Sequence, residues 1–289
     1  MKTKFNVTVF GATGKIGSQV VSLLSNAGVS TQAISRKSNN AAAAQGISWQ
    51  YADMMNIESL YPVLSASNTV FLYSAMNEQI VEAQCNVIKA AAATGVQHIV
   101  KLSSAAADKK SPLFIPKAHG EIEAYLKDSG IPATMLRPTG FMQNWLQSIA
   151  PTVKSRRKIY EATGQGKRAY IDLRDIAAVA FSILKEPEKH ACHAYSLTGG
   201  EALNYEQIAA LLSGVIGENV SFIDLSIEEA YERMQQKGMP AWAVDTFTGY
   251  SREQREGKAE WVSTDVAQIL KCPPRSAAAF FNEHMTAFK

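Results

Sequence analysis

One glycine run constrains the fold of this 289-residue chain more than any other feature. An alternating segment, Val7-Thr8-Val9-Phe10, leads into Gly11-Ala12-Thr13-Gly14-Lys15-Ile16-Gly17, after which Ile16, Val20, Val21, Leu23 and Leu24 recur at helical spacing. That pattern is a strand, a tight turn and a helix. Gly11 permits the turn, Gly14 lets backbone approach a pyrophosphate, and Gly17 allows the helix to pack against the strand. A helix beginning there directs its free N–H groups and positive dipole end at the phosphates. Thr13, Lys15 and Ile16 share the same turn and are counted with the glycines as dinucleotide contacts.

The second half of the pattern selects the dinucleotide. An NAD site places Asp or Glu about 20 residues beyond the glycines, on the ribose 2′-hydroxyl. Here the second strand, 31–35, ends in Arg36-Lys37, and residues 1–52 hold no acidic side chain. A carboxylate would repel a 2′-phosphate, whereas a guanidinium beside an ammonium pairs with one, so NADP is favoured over NAD. Lys2, Lys4 and Lys15 add positive charge to the segment. The alternative for Arg36 and Lys37 is an ordinary solvated loop.

Composition excludes several other classes. With 29 Lys plus Arg against 26 Asp plus Glu, the net charge of +3 is too small to argue for nucleic acid or membrane as a partner. The basic run Lys154-Ser155-Arg156-Arg157-Lys158 lacks interleaved aromatics and reads as a solvated turn. Cys85, Cys192 and Cys272 are far apart and odd in number, as expected of reduced thiols. His190, Cys192 and His193 have no ligand motif elsewhere to complete a metal site, so none is expected. Neither a signal segment nor an apolar stretch of membrane-spanning length is visible, and the expected location is cytoplasmic. The expected partner is a small-molecule substrate, with a homodimer left open.

Along the chain, short apolar runs alternate with helical patterns. Strands are predicted at 31–35, 47–51, 69–73, 97–102 and 133–137, with helices at 38–45, 56–64, 78–94 and 118–129 between them. With the first strand this makes an α/β, doubly wound parallel sheet with ligands at the strands' carboxyl ends. Residues 1–150 form the dinucleotide-binding domain, to which 168–197 return through a helix at 175–185 and one more strand at 193–197. Residues 198–289 and 151–167 form a smaller substrate lobe, with helices near 204–215, 227–237 and 276–287, and a cleft between the lobes would take the substrate.

With these residues in hand, the chain resembles the short-chain dehydrogenase/reductase superfamily and, within it, the atypical NmrA-like branch. The similarity covers most of the chain. It rests on the glycine run, Tyr51-Ala52-Asp53, Val100-Lys101-Leu102-Ser103-Ser104, His119-Gly120-Glu121-Ile122-Glu123, Leu136-Arg137-Pro138-Thr139-Gly140-Phe141-Met142-Gln143-Asn144 and Ile171-Asp172-Leu173-Arg174-Asp175-Ile176-Ala177. Ordinary members use a tyrosine with a lysine four residues later; none of the ten tyrosines here has one. Counted back from Gly130-Ile131-Pro132, the lysine position falls on His119 and the tyrosine position on Ile115. The resemblance implies NADPH-dependent reduction of quinones or triphenylmethane dyes, where hydride transfer makes a stabilised anion or a neutral product and a strong protein acid is less necessary. It also leaves the alternative of a redox-sensing regulator that binds NADP(H) without turnover.

Further site residues follow from the resemblance. His119 would contact cofactor or substrate, or be a satisfied helix-face histidine. Asp53 with Met54 would meet adenine, or Asp53 would cap the helix 56–64. Ser74, Ala75 and Met76 would lie beside the adenosine ribose. Ser104 takes the superfamily's catalytic-serine position, with Ser103 beside it, or the pair merely ends the strand. Pro138, Thr139 and Phe141 would meet nicotinamide, and Lys117 would be a reserve ribose ligand or a solvated lysine. Asn144 and Trp145 are candidates for one wall of the substrate site. Trp242 and Phe247, in the aromatic run 239–250, would form the other wall or belong to core.

Overall fold

The computed structural model describes residues 5–36 and 46–289. Lys2, Lys4, Lys37 and the helix predicted at 38–45 lie outside the described residues. The chain forms two compact units. The first comprises Met1–Ser111, Ile115–Arg137 and Ile176–Ser196, and the second Pro112–Phe114, Pro138–Asp175 and Leu197–Lys289.

The main sheet is built from β1 (Phe5–Val9), β2 (Thr31–Ser35), β3 (Ile47–Tyr51), β4 (Ser67–Leu72), β5 (His98–Leu102), β6 (Ala133–Pro138) and β8 (Ala194–Leu197). Their order is β3-β2-β1-β4-β5-β6-β8, and β1 through β6 pair in parallel. The order reverses between β1 and its neighbours β2 and β4, so the glycine turn stands where the two halves of the sheet diverge. Every residue of β2 and β5 is buried, as expected of interior parallel strands covered on both faces. Their buried polar groups are paired: Gln32 Nε2 donates to the Val63 carbonyl, and His98 Nε2 is 2.9 Å from the Thr134 hydroxyl.

The crossover helices are α1 (Gly17–Asn26), α2 (Leu60–Leu64), α3 (Ile80–Thr94) and α4 (Phe114–Asp128). Two differ from expectation for local reasons. The segment predicted as a helix over 56–64 divides into a 3-10 turn, Ile57–Ser59, and the five residues of α2. α4 starts four residues before the predicted 118 because Pro116 falls in its first turn, where the missing N–H has no intrahelical partner to lose.

The second unit contains α5 (Trp145–Ser148), α6 (Ala150–Arg156), and β7 (Lys158–Glu161) paired in parallel with β9 (Ser221–Asp224). α7 (Leu173–Lys185) begins in this unit and ends in the first. The helices α8 (Tyr205–Ile216), α9 (Ile227–Gln236), α10 (Ala241–Arg255), α11 (Asp265–Leu270), α12 (Ala277–Glu283) and α13 (Met285–Phe288) complete it. Reciprocal capping boxes open α8 at Asn204 and Gln207, and α9 at Ser226 and Glu229. Among the described residues no helix is long and apolar enough to cross a membrane.

Candidate functional site

The turn after β1 has no room for side chains at its glycines. A Cβ on Gly11 would lie 2.5 Å from the Tyr73 carbonyl oxygen, and one on Gly17 would lie 2.1 Å from the Gly11 carbonyl oxygen. Gly11 also has φ +69°, a conformation that L side chains rarely adopt. β1 and the start of α1 can therefore approach β4 this closely only with glycine. α1 opens without a side-chain cap and without an acidic residue in its first turn. An anion is the natural complement to such a helix start.

The other cofactor candidates of the first unit follow strand ends of the same parallel sheet. Arg36 follows β2 directly and is exposed. Asp53, two residues past β3, accepts a hydrogen bond from the Met55 N–H at 3.0 Å. The cap of the 3-10 turn is Asn56, whose side chain accepts from the Glu58 N–H, so Asp53 is not the helix cap. The Met54 carbonyl accepts from Asn86 Nδ2. Past β4, the Ser74 hydroxyl accepts from Gln84 Nε2 at 2.9 Å, while Gln84 Oε1 is buried with no partner among the described residues. Ala75 is exposed and Met76 half-buried. Ser104 Oγ accepts from the Ala106 N–H, a loop-closing bond. Lys117 is exposed and 4.0 Å from Glu121, as a solvated lysine would be.

His119 belongs to a buried polar lattice between β5 and α4. Alternate residues of a strand share a face, and residues four apart share one side of a helix. Lys101 and Ser103 accordingly face His119 and Glu123: Lys101 Nζ is 2.9 Å from His119 Nδ1, and the Ser103 hydroxyl donates to Glu123 Oε1 at 2.5 Å. Lys101 Nζ also donates to the Leu102 carbonyl. Arg137, at the end of β6, grips Glu123 through Nε on Oε1 and Nη2 on Oε2. Burial pushes the Lys101 amine down to about 7, opposed mainly by the Glu123 carboxylate. Burial, with the Lys101 charge beside it, holds the His119 imidazole well below its ordinary range. Gly120 lets the 108–109 backbone press against the helix next to His119, since a Cβ there would be 2.1 Å from Lys109 N.

The remaining candidates lie in the second unit. Thr139 is occupied structurally: its N–H donates to the Leu197 carbonyl and its hydroxyl to the Ala169 carbonyl. Pro138 is buried, and Phe141 makes a bridge with Ile171. Asn144 is exposed. Trp145 is 1% exposed, and its ring packs among Tyr170, Phe280 and Phe281; it is the centre of a core, with no ring surface left for a substrate. Trp242 is half-buried against Phe114, and Phe247 is exposed. The run 239–250 enters α10, whose buried residues include Ala243, Val244, Thr246 and Thr248, so core is supplied by its small side chains rather than by Phe247.

A second polar cluster in this unit was not foreseen. The Tyr170 hydroxyl is 3.1 Å from that of Tyr205 and donates to Gln254 Oε1. Nearby, burial pushes the Glu161 carboxyl up to about 7, against the opposing charges of Lys237 and Arg168. Lys101, Glu123 and Arg137 also went unassigned in the sequence. Lys101 carried a readable signal: a charged residue within the apolar run His98-Ile99-Val100-Lys101-Leu102.

A glycine turn where a parallel sheet reverses order, an uncapped helix start and a basic residue closing β2 define a dinucleotide-binding α/β protein. Residues 3–280 match the NmrA-like family, and the chain belongs to it. It is 32% identical over 284 residues to the NAD(P)H azoreductase of Xenophilus azovorans, spanning 98% of this chain and 99% of that protein. It is also 32% identical over 244 residues to quinone oxidoreductase 2 of Escherichia coli strain K12, spanning 83% and 84%. Among solved structures, the NADPH-dependent quinone oxidoreductase of Escherichia coli complexed with NADPH superposes with a TM-score of 0.88 at 29% identity, covering 97% of this chain and 99% of that one.

Proposed function

We propose that this protein is an NADPH-dependent reductase that passes hydride to a quinone-like or other conjugated small molecule without a tyrosine-lysine pair. The chain is an oxidoreductase that uses NADP(H), in keeping with full-length relatives named as an NAD(P)H azoreductase and a quinone oxidoreductase. The observation that carries the reading is the Gly11–Gly17 turn, sterically closed to side chains and opening an uncapped helix toward an anion. Gly11, Thr13, Gly14, Lys15, Ile16 and Gly17 would hold the pyrophosphate, with Arg36 on the 2′-phosphate. Asp53, Met54, Ser74, Ala75 and Met76 would hold the adenosine half, Ser74 with its own hydroxyl proton to donate.

The bound nicotinamide supplies the hydride. The chain's own contribution is binding, orientation and exclusion of water. Hydride transfer to a quinone makes a delocalised anion and to a cationic dye a neutral product, so a neutral hydrogen-bond donor suffices where a simple ketone would require a strong acid. His119 and Ser104 are the residues proposed for that contact. Ser103, Lys117, Pro138, Thr139 and Phe141 remain proposed cofactor neighbours, and Asn144, Trp242 and Phe247 proposed substrate contacts.

The test is steady NADPH consumption by the purified protein across a panel of quinones, azo compounds and cationic dyes. Turnover with at least one acceptor class is expected, with NADPH favoured over NADH. Tight NADPH binding without turnover of any acceptor would overturn the reductase reading.

A further inference from the structure

Lys101 carries an amine into the buried interior of the sheet. It is the penultimate residue of β5, in register with Leu72 of β4 and Met135 of β6, and is 0% exposed. An apolar side chain would fill the place without the desolvation of an amine. Yet Nζ is satisfied in a specific way, on the Leu102 carbonyl and on His119 Nδ1. A carbonyl can only accept, and an ammonium can only donate. With Lys101 protonated, Nδ1 must therefore be the bare, accepting nitrogen, and the single proton of a neutral imidazole must sit on Nε2.

We propose that Lys101 is a positioning residue for His119: its amine fixes the ring tautomer so that the imidazole presents Nε2–H as a hydrogen-bond donor to the reacting acceptor. This rests on the reductase reading for its consequence, though not for its geometry. The neighbouring lattice holds the pair in place from both sides. Glu123, one turn on from His119, is anchored to Ser103 just past the end of β5 and to Arg137 of β6, so α4 cannot rotate His119 away from Lys101 without breaking those bonds. The charged and titratable groups facing Lys101 come from three elements: Glu123 of α4, Arg137 of β6 and Cys85 of α3. The Glu123 carboxylate and Cys85 favour the ammonium, while Arg137 opposes it.

The experiment is nitrogen NMR of the full-length protein with isotope-labelled histidine, His119 being assigned by its loss in His119→Asn, combined with quinone-dependent NADPH oxidation. The wild-type ring is expected as the Nε2–H tautomer below neutral pH. Lys101→Met should admit the Nδ1–H tautomer and raise the pH at which His119 protonates. It should also lower kcat by about tenfold, less than the roughly hundredfold or more that a proton-transferring group itself contributes because Lys101 acts only through His119, with the NADPH dissociation constant unchanged. Lys101→Arg, which keeps a donor, should recover part of the tautomer preference. A proton on Nδ1 in the wild type would overturn the proposal without need of any variant. An unchanged tautomer in Lys101→Met would overturn it as well, as would an unchanged kcat. If wild type binds NADPH but turns over no acceptor, the reductase reading falls while the ring spectrum still decides whether Lys101 sets the tautomer.

Discussion

Glu123 on α4 and Arg137 on β6 form a two-bond pair at 2.5 and 3.0 Å, and the same carboxylate accepts from Ser103, the residue that follows β5. One side chain thus ties a helix to β6 and to the segment leaving β5, one turn away from His119. The carboxylate is largely buried while the guanidinium reaches solvent. Its role is to fix the depth and rotation of α4, with the pair's net Coulomb energy a smaller matter.

Replacing Glu123 with Ala should accordingly cost about 2 kcal/mol, since it leaves a hydroxyl and an arginine without their acceptor. Ser103→Ala, which removes one neutral donor, should cost about half as much. Urea unfolding followed by circular dichroism measures both. Equal effects from the two variants would mean that Glu123 is not the hub of the lattice.

The glycine turn permits a controlled comparison. Gly11 and Gly28 have nearly the same backbone conformation, φ +69° and +68°, but a Cβ at Gly11 meets the Tyr73 carbonyl at 2.5 Å while one at Gly28 meets nothing within 4 Å. Gly28→Ala should show only the left-handed penalty of roughly 1 kcal/mol and bind NADPH normally. Gly11→Ala should lose more stability and weaken NADPH by tenfold or more, because the turn must open to admit the methyl group. Calorimetric titration of both variants reads this out, and equal NADPH affinities would remove the turn from the site.

Arg36 is exposed directly after β2. Arg36→Glu places a carboxylate where a 2′-phosphate is expected and should reverse the preference from NADPH towards NADH. The ratio of the two dissociation constants is the measurement. An unchanged ratio would return Arg36 to the status of a solvated loop residue.

The parts of the molecule legible in the sequence are those set by local periodicity. β2 and β3 occupy the spans expected from short runs alternating with helical patterns, 31–35 and 47–51. The glycine turn was legible because each glycine answers to a separate steric demand. α4 begins four residues before the expected 118, because a first-turn proline such as Pro116 is compatible with the helix. Trp145 was read as a substrate contact because nothing local separates an aromatic that lines a site from one that fills a core. That distinction came from Phe280 and Phe281, more than a hundred residues away. The Lys101–His119 pair depends on the register between a strand and a helix. His119 alone was visible as a candidate, without the partner that sets its chemistry.

That partner gives the protein a pH signature of its own. The Lys101 amine titrates at about 7 in the folded chain against 10.5 when unfolded. Its folded value is depressed, so above the unfolded value both states are neutral and its contribution to stability is fully present. As pH falls from about 10.5 towards 7, the unfolded chain takes up a proton that the folded chain does not, and stability is lost over that window. Below about 7 both states are protonated and the loss levels off. Lys101→Met carries no such term, so its stability relative to the wild type should rise as pH is lowered from 10 to 7 and then stay constant, with a span on the order of a few kcal/mol. Denaturant midpoints for both proteins across that range give the difference directly. A difference that is flat with pH would mean that the Lys101 amine titrates normally in the folded chain, and would place it in contact with water rather than sealed between β5 and α4.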